Sequence, residues 1–136
     1  MLEINLPEVV AELTPFYLEY QKALDTNDFE TMNKLFWNSL QTVRFGPVGT
    51  LIGYDQISSY RRGRVGHVSS ERTLRNTVIT TFGKDLAATN TETMKAGSTV
   101  VGRQSQTWVR TEEGWRIAAA HVSDQPGTRL WIDACR

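Results

Sequence analysis

The chain has a single cysteine, no long apolar run and no surplus of either charge, and each lack removes a class of protein. Cys135 is the one cysteine in 136 residues, which excludes an internal disulfide and a thiolate zinc centre. Standing in the last residues without a partnered setting, it reads as a tail residue and not as a nucleophile. Fifteen basic residues balance fifteen acidic ones, so no whole-molecule field draws nucleic acid or an anionic membrane, and neither is expected as a partner. No stretch approaches the roughly 20 apolar residues of a membrane span. Met1 to Asn5 has neither the basic nor the apolar region of a secretory signal, and a cytoplasmic location is expected. Histidine is scarce as well: His67 and His121 are the two present. Without clustered carboxylates they give no basis for a catalytic transition-metal site, and no cofactor is expected.

What is present fits one domain over residues 1–136, large enough to bury a core and too small for two ordinary ones. Glu8 to Leu24 reads as a helix with Leu13, Tyr17, Tyr20 and Leu24 on one face. Pro15 falls inside that pattern and is expected to kink the helix or restart it after Thr14. Asn27 with Glu30 resembles a capping box for a second helix that buries Phe29, Met32, Leu35 and Phe36 and ends near Trp37 or Asn38. Thr42 to Phe45 and Thr50 to Ile52 read as short strands around a Gly-Pro turn, followed by a third helix over about Asp55 to Val65.

From Arg72 the period changes from helical to alternating. Arg72 to Phe82, Leu86 to Lys95, Val100 to Arg110 and Trp115 to Ser123 read as four strands joined by tight turns, a meander. Helices first and an antiparallel sheet after is the α+β layout, with the helices across one face. The last hairpin places Gln104, Gln106 and Trp108 on one strand and Trp115, Ile117, Ala119 and His121 on the other, each at a spacing of two. Large apolar residues mixed with amides and a histidine suggest a lined pocket. A one-residue change of register would instead set Arg103, Ser105 and Thr107 opposite His121.

The order of elements resembles the nuclear transport factor 2-like (SnoaL-like) superfamily, a cone-shaped α+β fold with a strongly curved antiparallel sheet. The strings Thr42-Val43-Arg44-Phe45-Gly46, Asn76 to Gly83, Gly102 to Arg110 and Gly114 to Ser123 are similar to a narrower group, the AtzH/HpxZ-like proteins, with likeness from Ile4-Asn5-Leu6-Pro7 to Val122-Ser123. Pro15 and the tail after Asp124 depart from the pattern. That resemblance implies a role near amidases in the breakdown of nitrogen-rich small molecules such as cyanuric acid or oxalurate. For the AtzH branch it implies conversion of 1,3-dicarboxyurea to allophanate by decarboxylation or decarboxylating hydrolysis, with Tyr20 and Arg44 matching the positions tied to that chemistry. Because this cone hosts enzymes, binders and assembly hubs alike, the fold by itself does not choose among them.

Each candidate also has a plain structural reading. Arg44 alternates with Val43 and Phe45, so its guanidinium faces solvent, a salt bridge, or a cavity where its planar fork could hold a carboxylate. Tyr20 is either a core tyrosine bonded to a carbonyl or a proton donor to a leaving nitrogen, and Tyr17 on the same stripe competes with it. Arg61 and Arg64, with Arg62 and Arg72, form an ordinary basic helix end, or one of Arg61 and Arg64 meets a second carboxylate. Asn90, Gln104 and Gln106 could orient amide and carbonyl groups or form solvent-side ladders. His121 is a structural histidine or an acid–base group, His67 a loop residue, and Trp108 core or pocket wall.

The expected substrate is a small anionic carboxylated urea, handled by a homodimer that pairs through an outer sheet face bearing Val101, Val109 and Val122. The competing expectation is a non-catalytic binding module or accessory subunit of an amidase. An isomerase on the same cone would need a carboxylate base, for which Glu92 is the one strand candidate.

Overall fold

In the computed structural model, residues 1–47, 49–63 and 71–125 are described. Helix α1, Pro7–Thr26, starts on a proline, where a missing N–H is harmless. It runs through Pro15 as one helix, with no restart after Thr14. Its stripe is buried as the spacing predicts: Val9, Leu13, Tyr17 and Tyr20 lie in the core and Leu24 packs against it. Asn27, at φ 57°, closes α1 in the left-handed conformation that asparagine tolerates. The cap of α2, Phe29–Leu35, is therefore Asp28 and not Asn27; its carboxylate accepts from the Thr31 N–H at 3.2 Å and the Thr31 hydroxyl at 2.7 Å. The helix ends before Trp37 because Phe36 turns extended and bridges to Ile117. Helix α3, Tyr54–Arg62, buries Ile57, Ser58 and Arg61. The expected continuation to Val65, with Arg64 and His67, lies outside the described residues, as does Cys135.

Six strands form one sheet: β1 Val43–Gly46, β2 Gly49–Ile52, β3 Arg72–Phe82, β4 Leu86–Lys95, β5 Val101–Thr111 and β6 Gly114–Gln125, in the order β2-β1-β6-β5-β4-β3. The four long strands form the expected meander. The sheet is not antiparallel throughout, however, because β1 runs parallel to β6. These two strands are far apart in the chain, so no tight turn dictates their direction. The helices cover one face, where Leu13, Tyr17, Tyr20, Met32, Leu35 and Phe36 meet Trp108, Trp115, Ile117 and Ala87. Each large side chain so buried contributes about 1.5–3 kcal/mol.

The expected row of side chains along the last hairpin is broken by a bulge. Trp108 pairs with Ile117, but Thr107 pairs with Ala119, leaving Ala118 as an extra residue in β6. Trp115 and Ile117 therefore face the helices together with Trp108, while the phase flips beyond Ala118. Gln106 lies opposite Ala120 and Gln104 opposite Val122; His121 lies opposite Ser105 on the outer face. The register change foreseen as a possibility at the turn thus takes place inside the strand. It corrects the expectation that Ala119 and His121 share the glutamine row. Val122 likewise belongs to the inner row, which removes it from the outer apolar face drawn from Val101, Val109 and Val122; Val101 and Val109 alternate to the outer side as expected, Val101 being buried there.

Candidate active site

Tyr20 sits on the buried stripe of α1, 2% exposed, with its ring edge-on to Phe36 at 5.8 Å between centroids. Its hydroxyl oxygen accepts a 2.6 Å hydrogen bond from Arg61 Nη2. Arg61, the last buried residue of α3, is only 5% exposed and also contacts the Met32 sulfur through Nη1. Its guanidinium lies 5.9 Å from the Tyr20 ring centroid and 5.7 Å from that of Phe36. No aspartate or glutamate pairs with it among the described residues, and Arg61 Nε is buried without a hydrogen-bond partner. Among the described residues this leaves a buried cation with neutral neighbours and one N–H unused, a setting in which an anion would be stabilised. The cation beside the Tyr20 hydroxyl is therefore Arg61, where Arg44 was expected: α3 packs against α2, and the long side chain of its last turn reaches that hydroxyl.

Arg44 nevertheless points to the helix side of the sheet. Val43 and Phe45 line a depression on the outer face, so alternation turns Arg44 inward, and its guanidinium lies 5.3 Å from the Tyr60 ring centroid on α3. Gly46 gives the guanidinium room: a Cβ there would come within 3.0 Å of Arg44 Nη1. Tyr60 is the neighbour of Arg61 in sequence, so two guanidinium groups flank the same helix. Pairing across three strand boundaries, Arg44 with Ala120, Ala120 with Gln106, and Gln106 with Thr89, sets Arg44 and Gln106 in one inner row separated by a single small residue. Two strand spacings make that interval about 9–10 Å.

Polar groups continue along the inner face. Gln21 Nε2 donates to Gln104 Oε1 at 2.6 Å, and Arg72 donates to Gln21 Oε1 at 2.9 Å and to Asp25 at 2.6 Å. Tyr17 lies near Thr77 and Thr91, but its hydroxyl makes no hydrogen bond of ordinary geometry among the described residues. Burial raises its pKa, outweighing the lowering by those hydroxyls and by the Arg72 charge.

The other expected site residues fall elsewhere. His121 is exposed and packs edge-on against Phe45 at 5.9 Å on the outer face, where Asn90 accepts a 2.6 Å hydrogen bond from Ser105. Both line an outer depression of about 360 Å³ whose floor Gln106 and Ala120 also reach, while the ladder register turns the side chains of Gln104 and Gln106 to the opposite face. Trp108 is fully buried, and Arg64 lies outside the described residues. Glu92 alternates to the outer side with Asn90 and is held by Arg75 at 3.2 Å and Asn76 at 2.6 Å, which removes it as an interior base. A second cavity of about 380 Å³, near Trp37, Tyr54 and Arg116, has none of Tyr20, Arg44 or Arg61 in its walls. Sequence reasoning missed Gln21 and Thr89 as inner polar residues. The signal for Gln21 was its place four residues after Tyr17, on the buried face of α1.

The comparisons fit this architecture. A solved protein of unknown function from the DUF3225 family of Pectobacterium atrosepticum is 46% identical, with a TM-score of 0.85 over 90% of this chain and 94% of that one. A cystatin-like fold protein from Burkholderia xenovorans is 41% identical, with a TM-score of 0.86 over 93% of this chain and 98% of that one. A nuclear transport factor 2-like superfamily protein from Salmonella enterica, 25% identical, gives a TM-score of 0.66 over 89% and 93% of the two chains. Among curated proteins none matches. The family model described as AtzH-like matches residues 2–127, and the chain, with its helices laid on a curved six-stranded sheet, belongs to that family.

Proposed function

We propose that the protein is an enzyme acting on a carboxylated urea, converting 1,3-dicarboxyurea to allophanate with loss of carbon dioxide. The observation that carries this reading is the buried Arg61–Tyr20 pair, a cation without an acidic partner among the described residues beside a phenol whose oxygen already accepts a hydrogen bond. A guanidinium has no acceptor and is always charged, so it offers an N–H to a substrate carboxylate while holding the phenol oxygen. The Tyr20 hydrogen is then left for the substrate nitrogen. Arg44, on the same side of the sheet and beside α3, supplies the second cation that a dianion needs.

In the reaction the bond between one urea nitrogen and its carboxylate carbon breaks, and its electron pair stays on nitrogen as carbon dioxide departs. Tyr20 gives that nitrogen its proton, Arg61 stabilises the phenolate left behind, and water restores the phenol, its hydroxide combining with the released carbon dioxide as bicarbonate. Allophanate leaves with its remaining carboxylate intact. Fixed donors and cations in a water-poor site favour the developing charge because they need no reorientation.

Pure protein given freshly generated 1,3-dicarboxyurea should release carbon dioxide and allophanate well above the spontaneous rate. Tyr20→Phe should lower kcat by about 10²–10⁴ with little change in KM, and Arg61→Met and Arg44→Ala should weaken both binding and turnover. No turnover above background, with an amidase co-purifying tightly, would overturn the reading in favour of an accessory subunit.

A further inference from the structure

The two ends of a glutamine amide have nearly the same shape and opposite hydrogen-bonding character, so neighbours that can only donate decide which end is which. Trp108 Nε1 lies 3.1 Å from Gln106 Oε1, and Thr89 donates to the same oxygen at 3.0 Å. An indole N–H cannot accept, which fixes the oxygen of Gln106 at that end. The other end, Gln106 Nε2, is buried and has no partner among the described residues, in a side chain only 3% exposed. A second chain of donors fixes Gln104 in the same sense: the Arg72 guanidinium fills Gln21 Oε1, and Gln21 Nε2 fills Gln104 Oε1. Of the two amides of β5, Gln106 is the one whose N–H₂ end is buried and unpartnered among the described residues. A buried donor held without an acceptor is costly, and a fixed one is matched to an acceptor that arrives with a ligand.

The place of this donor identifies the acceptor. Gln106 shares its sheet row with Arg44, and only Ala120 stands between them. We propose that Gln106 Nε2 donates to the central carbonyl oxygen of a diacid whose carboxylate is held by Arg44. Gln106 is then the specificity residue that separates ureas from acids lacking the carbonyl, and Trp108 and Thr89 are positioning residues that keep its amide from flipping. This inference rests on the anion site of the proposed function and adds what lies between the two carboxylates.

A pair of diacids separates the two ideas, with 3-oxoglutarate used freshly dissolved and cold because a β-keto acid loses carbon dioxide on standing. 3-Oxoglutarate replaces both urea N–H groups by methylenes and keeps the central carbonyl; glutarate lacks it. By calorimetry, the wild-type protein should bind 3-oxoglutarate roughly tenfold more tightly than glutarate, the scale of one neutral hydrogen bond. Gln106→Leu should erase that preference and leave glutarate binding within about twofold, which also reports that the variant is folded. Gln106→Met, similar in length and without the donor, serves the same comparison if the leucine variant does not fold. Trp108→Phe should narrow the preference by freeing the amide, whereas a packing role alone would weaken both acids equally. Equal binding of the two acids by the wild type, or a preference that survives in Gln106→Leu, would overturn the inference while leaving the anion site standing. Failure of both acids to bind at all would overturn the anion site and this inference with it.

Discussion

Single residues on the helix side of the sheet carry most of the chemical information. The burial of Tyr20 was legible in the sequence, because spacings of four, three and four put it on the α1 stripe with Leu13 and Tyr17. Its partner was not legible. Arg44 and Arg61 are both arginines on short elements, and only the packing of α3 against α2 shows that Arg61 reaches the hydroxyl. Tyr17, the competitor on the same stripe, has a different fate: its hydroxyl is buried without a hydrogen bond among the described residues and its pKa is raised by burial. A raised folded-state pKa favours the native state below the ordinary tyrosine range, and that contribution is lost as pH climbs through the folded value. Tyr17→Phe should therefore be neutral or stabilising at pH 7, by up to about 1 kcal/mol. It should also melt with less dependence on pH above about 10 than the wild type, as thermal scans from pH 8 to 11 would register.

At the scale of elements, the decisive feature is one extra residue in β6. Alternation predicts strand faces only while the ladder is unbroken, and nothing in Trp115-Arg116-Ile117-Ala118-Ala119-Ala120-His121 marks which alanine is the bulge. His121 was therefore read onto the glutamine row from which Ala118 removes it. Deleting Ala118 would force β6 either to turn Trp115 and Ile117 outward or to re-pair its distal half. Exposing two such side chains costs about 3–6 kcal/mol, comparable to the whole stability of many small domains, and loss of a cooperative melt is the expected result. At the start of α2, Asp28 has a pKa lowered chiefly by its hydrogen bonds with the Thr31 side chain and N–H. A lowered carboxylate pKa stabilises the native state above the ordinary carboxylate range, and the effect fades as pH falls through the folded value. Asp28→Ala should lower Tm at pH 7, and the gap to the wild type should close progressively below about pH 4.

For the whole molecule, the buried cation on α3 predicts a trade between stability and ligand. Arg61 has Tyr20, Met32 and Phe36 around it and no acidic partner among the described residues, so the ligand-free protein keeps an uncompensated charge in its core. Arg61→Met should raise the Tm of the ligand-free protein by several degrees. A dicarboxylate such as malonate, present at ten times its Kd, should stabilise the wild type by about 1.4 kcal/mol and leave Arg61→Met unmoved. Scanning calorimetry of both proteins with and without malonate checks the two statements together. No described helix is long and apolar enough to cross a membrane. On the outer sheet face, which also bears Phe45 and His121, Val109 pairs with Leu86, while Val122 belongs to the inner row.

The α+β order, the buried stripe of α1, the four-strand meander and the polar character of the Gln104–Trp108 strand are all legible along the chain, because they depend on spacing between neighbours. The tertiary structure alone decided three things: the parallel seating of β1 on β6, the flip of face at Ala118, and the meeting of Arg61 with Tyr20. Each depends on contacts between residues far apart in the chain or on a local irregularity of the ladder, where periodicity carries no information about which side chain will arrive.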